Sequence, residues 1–100
     1  MPQTNPRPDF DDRPRSAPIV FAQTSTGHAS KKTGIDDGDT VTLGIGDVRI
    51  IVTGVRSTGA NRYQGTIDGF EMYPGEQFKG YRIGETVDFE ARKVFAAQTP

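Results

Sequence analysis

The sequence predicts an all-β fold, a small antiparallel barrel of five or six strands. Three observations carry this. Val48–Val55 is the longest run rich in β-branched residues, Val-Arg-Ile-Ile-Val-Thr-Gly-Val. Thr40–Ile45 and Thr86–Glu90 alternate apolar and polar side chains with the period of two that belongs to a half-buried strand. No segment has a convincing helical period, and the one stretch open to a short helix, residues 69–79, has Pro74 in its middle.

Val48–Val55 reads as the central strand. Val48, Ile50 and Val52 share one face, and Arg49, Ile51 and Thr53 share the other. Gly54 suggests a bulge that curls the sheet. Before it, Val41, Leu43 and Ile45 point inward, and Gly46-Asp47 punctuates a hairpin. After it, Arg56–Asn61 reads as a hairpin loop, without the glycine spacing or following helix of a phosphate cradle. Arg62–Asp68 is the next strand, with Tyr63, Gly65 and Ile67 inward. A glycine in mid-strand implies close approach of a bulky neighbour. Residues 69–79 form an irregular connection holding Phe70, Tyr73 and Phe78, and Tyr73 beside Pro74-Gly75 is the ring expected on the surface. Gly80–Ile83 is a short strand. In the next, Val87 and Phe89 point inward while Asp88 and Glu90 face water. Ala91–Phe95 carries that strand on, and the end of the chain frays.

The first third is different. Residues 1–16 hold Pro2, Pro6, Pro8 and Pro14 among Asn, Asp and Arg, and read as a disordered arm carrying Arg7, Arg13 and Arg15. Asp12→Ala is accordingly expected to leave stability unchanged. Pro18–Ala22 is the only apolar patch there and suits an edge strand, with Ile19 and Phe21 on one face. Residues 24–32 are small, polar and aperiodic, hence a linker. The expected organisation is a flexible arm and linker over 1–37 with an edge strand at 18–22, a barrel over 38–96, and a frayed tail over 97–100.

Composition bounds the function. The chain has 100 residues, which suit one domain, and a net charge of −1 from 12 basic and 13 acidic residues, so no strong field favours DNA or an anionic membrane. It has no cysteine, which removes disulfides and thiolate metal sites and allows a cytoplasmic home. The longest aliphatic run, Ile50-Ile51-Val52, is far short of a membrane span, and the amino terminus has no secretory pattern. His28, the only histidine, sits in the linker without neighbouring ligands, so no metal site is expected. Asp36-Asp37-Gly38-Asp39 lacks the spacing of a calcium loop and has what a tight turn needs.

The carboxyl half resembles small bacterial β-barrels of SH3-like type. The resemblance rests on Gly-Asp-x-Val-x-Leu at Gly38–Leu43, Tyr-x-Gly-x-Ile at Tyr63–Ile67 and Gly-Glu-x-Val-x-Phe at Gly84–Phe89, in that order. It covers about residues 38–95. It implies an SH3-like barrel, with an OB-like barrel as the alternative, and carries over no functional residue.

No nucleophile with a base beside it is in evidence, and acidic residues alternating with Val and Phe are the wet face of a strand, so no enzyme and no cofactor are expected. The leading expectation is a binding module for protein–protein interaction or self-association. Single-stranded nucleic-acid binding on Arg and Tyr side chains is the alternative. The candidate partner-binding residues are Ile19, Phe21, Arg49, Arg62, Tyr73 and Arg82.

Val52→Asp tests the assignment of the central strand. An unpaired carboxylate in the core should cost on the order of 4 kcal/mol and unfold the domain. A variant melting with the parent protein would show that Val52 is not in the core.

Overall fold

The computed structural model describes residues 8–14, 16–22 and 34–99. Its strands are β1 (Val20–Ala22), β2 (Thr40–Ile45), β3 (Val48–Gly59), β4 (Arg62–Glu71), β5 (Gln77–Phe78), β6 (Tyr81–Arg82), β7 (Thr86–Glu90) and β8 (Ala96–Gln98). A 3-10 turn, Ala91–Lys93, joins β7 to β8. Six strands form one sheet in the order β1-β8-β2-β3-β4-β7, and β5-β6 is a separate hairpin.

The alternation of apolar side chains sets the faces. Val41, Leu43 and Ile45 on β2 lie opposite Val52, Ile50 and Val48 on β3, and all six are buried. Ile67, Val87 and Phe89 complete the same face from β4 and β7. β3 is long enough to serve both halves of the sheet because it bends. Gly54 has φ +61°, and one extra residue of β3 intervenes between the pairs Thr53↔Thr66 and Arg56↔Gln64. This is a bulge whose first residue needs the left-handed backbone that glycine adopts without strain. Opposite it, Gly65 is buried, and a Cβ there would stand 2.5 Å from Val52 Cγ1 and 2.9 Å from the Thr53 carbonyl oxygen. Glycine lets the two strands close over the bend.

The sheet is curled but not closed, and it is mixed, which corrects the expected antiparallel barrel. β8 pairs with β2 on one side and runs parallel to β1 on the other. Both its edges are therefore occupied, and none remains for β7 to close a barrel. Four further corrections concern single segments of the chain. Residues 97 and 98 are not a frayed tail: Ala97 is buried inside the sheet. Ala91–Lys93 is a turn rather than a continued strand, because the Val94 N–H donates to the Ala91 carbonyl and carries the chain across to β8. β3 also runs on through Gly59, so the hairpin turn is only Ala60-Asn61.

The fourth correction is the largest. Residues 8–14 do not float free as an arm. Phe10 is 4% exposed and its ring lies 4.9 Å from that of Tyr81, nearly parallel to it. The Tyr81 hydroxyl donates to the Pro8 carbonyl at 2.7 Å. The Asp11 N–H donates to Gly44 O at 2.7 Å, and Asp11 Oδ2 accepts from the Gly46 N–H at 2.7 Å. Lys93, 7% exposed, donates to the Phe10 carbonyl at 2.9 Å and pairs with Asp12 at 3.0 Å and Asp9 at 3.2 Å. Arg13 Nη1 donates to the carbonyls of Ala91 and Val94. A buried ammonium would be costly without partners, and here three oxygens surround it.

Two predictions follow from this packing. Gly65→Ala should cost about 2 kcal/mol through overpacking against Val52, read from denaturant unfolding; an unchanged midpoint would mean the strands are not pressed together there. The strap formed by residues 8–13 should also depend on pH. The hydrogen bond from Lys93 holds the Asp12 carboxyl below its ordinary 3.8, against some desolvation and with help from the Lys93 and Arg92 charges. Burial alone would push Lys93 down, but the hydrogen bonds to Asp12 and Asp9 and their charges together hold it above its ordinary 10.5. A lowered acid contributes stability above 3.8 that drains as pH falls through its folded value; a raised base contributes below 10.5 and drains as pH rises through its folded value. Melting temperature should therefore be level between these limits and fall outside both. Asp12→Ala should lower the plateau and flatten the acid limb, contrary to the neutrality that composition implies. Identical pH profiles for the two proteins would remove Asp12 from the clamp.

Candidate functional site

The chain leaves the sheet after β4 and returns at β7, and the excursion between them is built around aromatic rings. Phe70 and Phe78 pack on the core, and Tyr73 lies against both. The Tyr73 and Phe78 centroids are 4.9 Å apart at 61°, and Phe70 meets Tyr73 edge-on at 6.2 Å. Gly75 makes this possible: a Cβ there would stand 2.6 Å from Tyr73 Cε2, so only glycine lets the ring lie over the backbone. Lys79 and Gly80 form the two-residue turn of the β5-β6 hairpin with φ +49° and +91°, the positive values of a type I′ turn. Lys79 Nζ stands 5.6 Å from the Phe78 ring centroid. Met72 also takes a positive φ, +67°, where the chain breaks from β4.

This framework displays apolar groups. Met72 is 83% exposed, Ile83 45% and Tyr73 37%. Only one other large hydrophobic among the described residues is as exposed, Val20 on β1. Backbone bonds fix the excursion to itself and to the sheet: the Ile83 N–H donates to Glu76 O at 3.0 Å, and the Gly84 N–H to Ile67 O at 2.7 Å. Glu76, Gln77, Arg82 and Ile83 line a shallow open depression beside it. From Glu71 to Glu85 the charges nearly balance, with Lys79 and Arg82 against Glu71, Glu76 and Glu85.

The six residues singled out from the sequence fall in different places. Tyr73 and Arg82 share the excursion. Ile19 and Phe21 flank the exposed Val20 and turn inward, half-buried against the core. Arg49 lies on the outer face of the sheet, its guanidinium 5.0 Å above the Phe95 ring and bonded to Gly46 O. Arg62 begins β4 opposite Glu90, at the far end of the β3-β4 pair from Arg49, which lies opposite Glu71. Arg49 and Arg62 therefore lie at opposite ends of the β3-β4 pair. Met72 and Ile83 escaped the sequence reading, since a lone methionine and an isoleucine next to glycine carry no periodic signal.

Asp36–Asp39 is a turn. Asp39 Oδ2 accepts from the Asp36 N–H at 2.8 Å, and Asp37 Oδ1 accepts from the Ser57 N–H at 3.1 Å. Among the described residues no group of three or more acidic or histidine side chains is placed to hold a metal, and no helix is long and apolar enough to cross a membrane. His28, Lys31 and Lys32 lie outside the described residues, as do Arg7 and Arg15. Compared with protein-family models, curated proteins and solved structures, the chain matches none.

Proposed function

We propose that this chain is a non-enzymatic binding module that docks a protein partner on the excursion between β4 and β7. One observation carries the reading: three of the four most exposed large hydrophobics among the described residues, Met72, Tyr73 and Ile83, stand on one short excursion braced by rings packed edge to face. Rigid aromatic and aliphatic anchors are the groups that dominate protein interfaces, because they lose little entropy on binding and remove much apolar area from water. The Arg82 guanidinium and the Lys79 ammonium supply a polar rim. The strand order β8-β2-β3-β4-β7, with a 3-10 turn between the last two in sequence, supports an SH3-like arrangement left open along one side. Side chains such as Leu43, Ile50 and Ile67 fill its interior and favour binding at the surface over chemistry within.

Single-stranded nucleic-acid binding has less support. It would use Tyr73 with Arg82 and Lys79, but three carboxylates share that region and Arg49 and Arg62 lie elsewhere.

The test uses a photoreactive residue in place of Met72. It should trap a discrete protein adduct, and Tyr73→Ala or Ile83→Glu should lower the yield about tenfold while the fold melts normally. Equal trapping by these variants, or tight oligonucleotide binding at low salt that they abolish, would overturn the reading.

A further inference from the structure

The strap, residues 8–13, rests on Tyr81 of the excursion, and it has the construction of a ligand seated in a receptor. Its seat is made by the end of β2 (Gly44 and Gly46), by Tyr81 on β6, and by Ala91–Val94. The anchor is an aromatic side chain in an apolar socket, with Phe10 on Tyr81. The surrounding contacts are charged and directional: Asp9 and Asp12 on Lys93, Asp11 on the Gly46 N–H, and Arg13 on the carbonyls of Ala91 and Val94. A hot residue in a desolvated pocket with a polar rim is the anatomy of peptide recognition.

The strap joins its own domain by one turn. The Ala17 N–H donates to Pro14 O at 2.9 Å, Arg13 Nε donates to Ala17 O at 2.9 Å, and prolines stand at 14 and 18. Among the described residues, opening that turn breaks these two hydrogen bonds within it. Every bond between strap and seat can be remade, unchanged, by the strap of a second molecule. The Arg13 N–H to Arg92 O, the Asp11 N–H to Gly44 O, and the Lys93 clamp do not depend on which chain supplies residues 8–13.

We propose that two copies of this chain exchange straps reciprocally, each placing its residues 8–13 in the other's seat to form a two-fold dimer. Identical contacts in the open and closed forms make such exchange cost little. The balance is then set by concentration against the effective concentration of the tethered strap, which is millimolar for a short tether. At micromolar concentration the strap stays at home. Refolding at high concentration, or a tether too short to reach, favours exchange.

Shortening the turn decides the matter. Deleting Ser16 and Ala17 removes about 7 Å of reach, so the strap cannot return to its own seat. The deletion variant should be a dimer by light scattering at about 50 μM, where the parent chain should be a monomer. Adding Phe10→Ala to the deletion should return it to monomer, and a free peptide of residues 6–14 in excess should also dissociate the dimer. Two independent arms keep the result clear if the deletion variant does not fold. The full chain refolded at about 1 mM should yield a slowly reverting dimer. Phe10→Ala and Lys93→Ala chains refolded together should form a 1:1 heterodimer that melts above either alone, since it contains one intact strap in one intact seat. A deletion variant that stays monomeric, a dimer that survives Phe10→Ala, or a full chain wholly monomeric after refolding at 1 mM would each overturn the proposal.

Discussion

A curled sheet that does not close leaves its apolar interior open along one side, and the rest of this structure depends on how that opening is filled. β8 uses both its edges, on β1 and on β2. Among the described strands β7 therefore ends the sheet, paired with β4 alone, and the sheet does not close on itself. Phe10 adds an aromatic ring to the open core, stacked on Tyr81 and joined to the same cluster as Leu43, Ile50 and Val94. Hydrogen bonds alone would not hold a proline- and aspartate-rich segment there. What holds it is Lys93, whose carbon stem is buried beside Val94 while its ammonium binds one carbonyl and two carboxylates of the strap.

The charges in this clamp are not equivalent. Arg92 also pairs with Asp12, at 3.7 Å, but both side chains are more than half exposed, and such a pair adds little in water. Lys93 is different because it is withdrawn from solvent. Removing a partner from a buried ion leaves it uncompensated, which costs more than the pair is worth when intact. The strap is thus held by one apolar anchor and one buried cation, with backbone bonds setting its register on Gly44 and Arg92. A core of only this size buries a modest share of its chain, so an added aromatic anchor matters to it more than to a larger domain.

Much of the sheet was legible in the residues. The inward positions of β2, β3 and β7 follow from period-two alternation, and burial of Val41, Leu43, Ile50, Val52, Val87 and Phe89 agrees with it. Gly65 as a place of close approach and Gly54 as a bend were legible too, since glycine in mid-strand has few other uses. The strap was not legible. One phenylalanine among prolines and aspartates has no period, and composition there argues for a solvated chain. Lys93 was equally hidden, because Ala-Arg-Lys-Val reads as an exposed strand end. β8 was lost to the low apolar content of Ala-Ala-Gln, whose small side chains suit the crowded middle of a sheet rather than its edge. In each case a contact distant in sequence overrode the local signal. At the candidate face, the three rings were legible as a group, and Tyr73 as the exposed one, but the display of Met72 and Ile83 depends on turn geometry at Met72 and at Lys79-Gly80.

The two surfaces differ in a way that separates their roles. The strap seat is polar at its rim and already satisfied, so any competitor must bring both an aromatic anchor and acidic groups spaced like Asp9, Phe10 and Asp12. That demand is met most simply by the same segment of another copy. The excursion is unsatisfied in the opposite sense. Its rings are packed and its backbone bonded, yet Met72 and Ile83 project without cover, and no charged group is withdrawn from water to specify a partner. A surface of that kind selects by shape and apolar area, which suits a folded partner. Backbone torsions also bear on it. Left-handed values at Met72 and Lys79 cost on the order of 1 kcal/mol each, and a fold retains such strain only where the surrounding packing enforces it. Here the enforcing contacts are the edge-to-face Tyr73–Phe78 pair and the type I′ turn, so the same features that strain the excursion hold its exposed side chains in fixed positions.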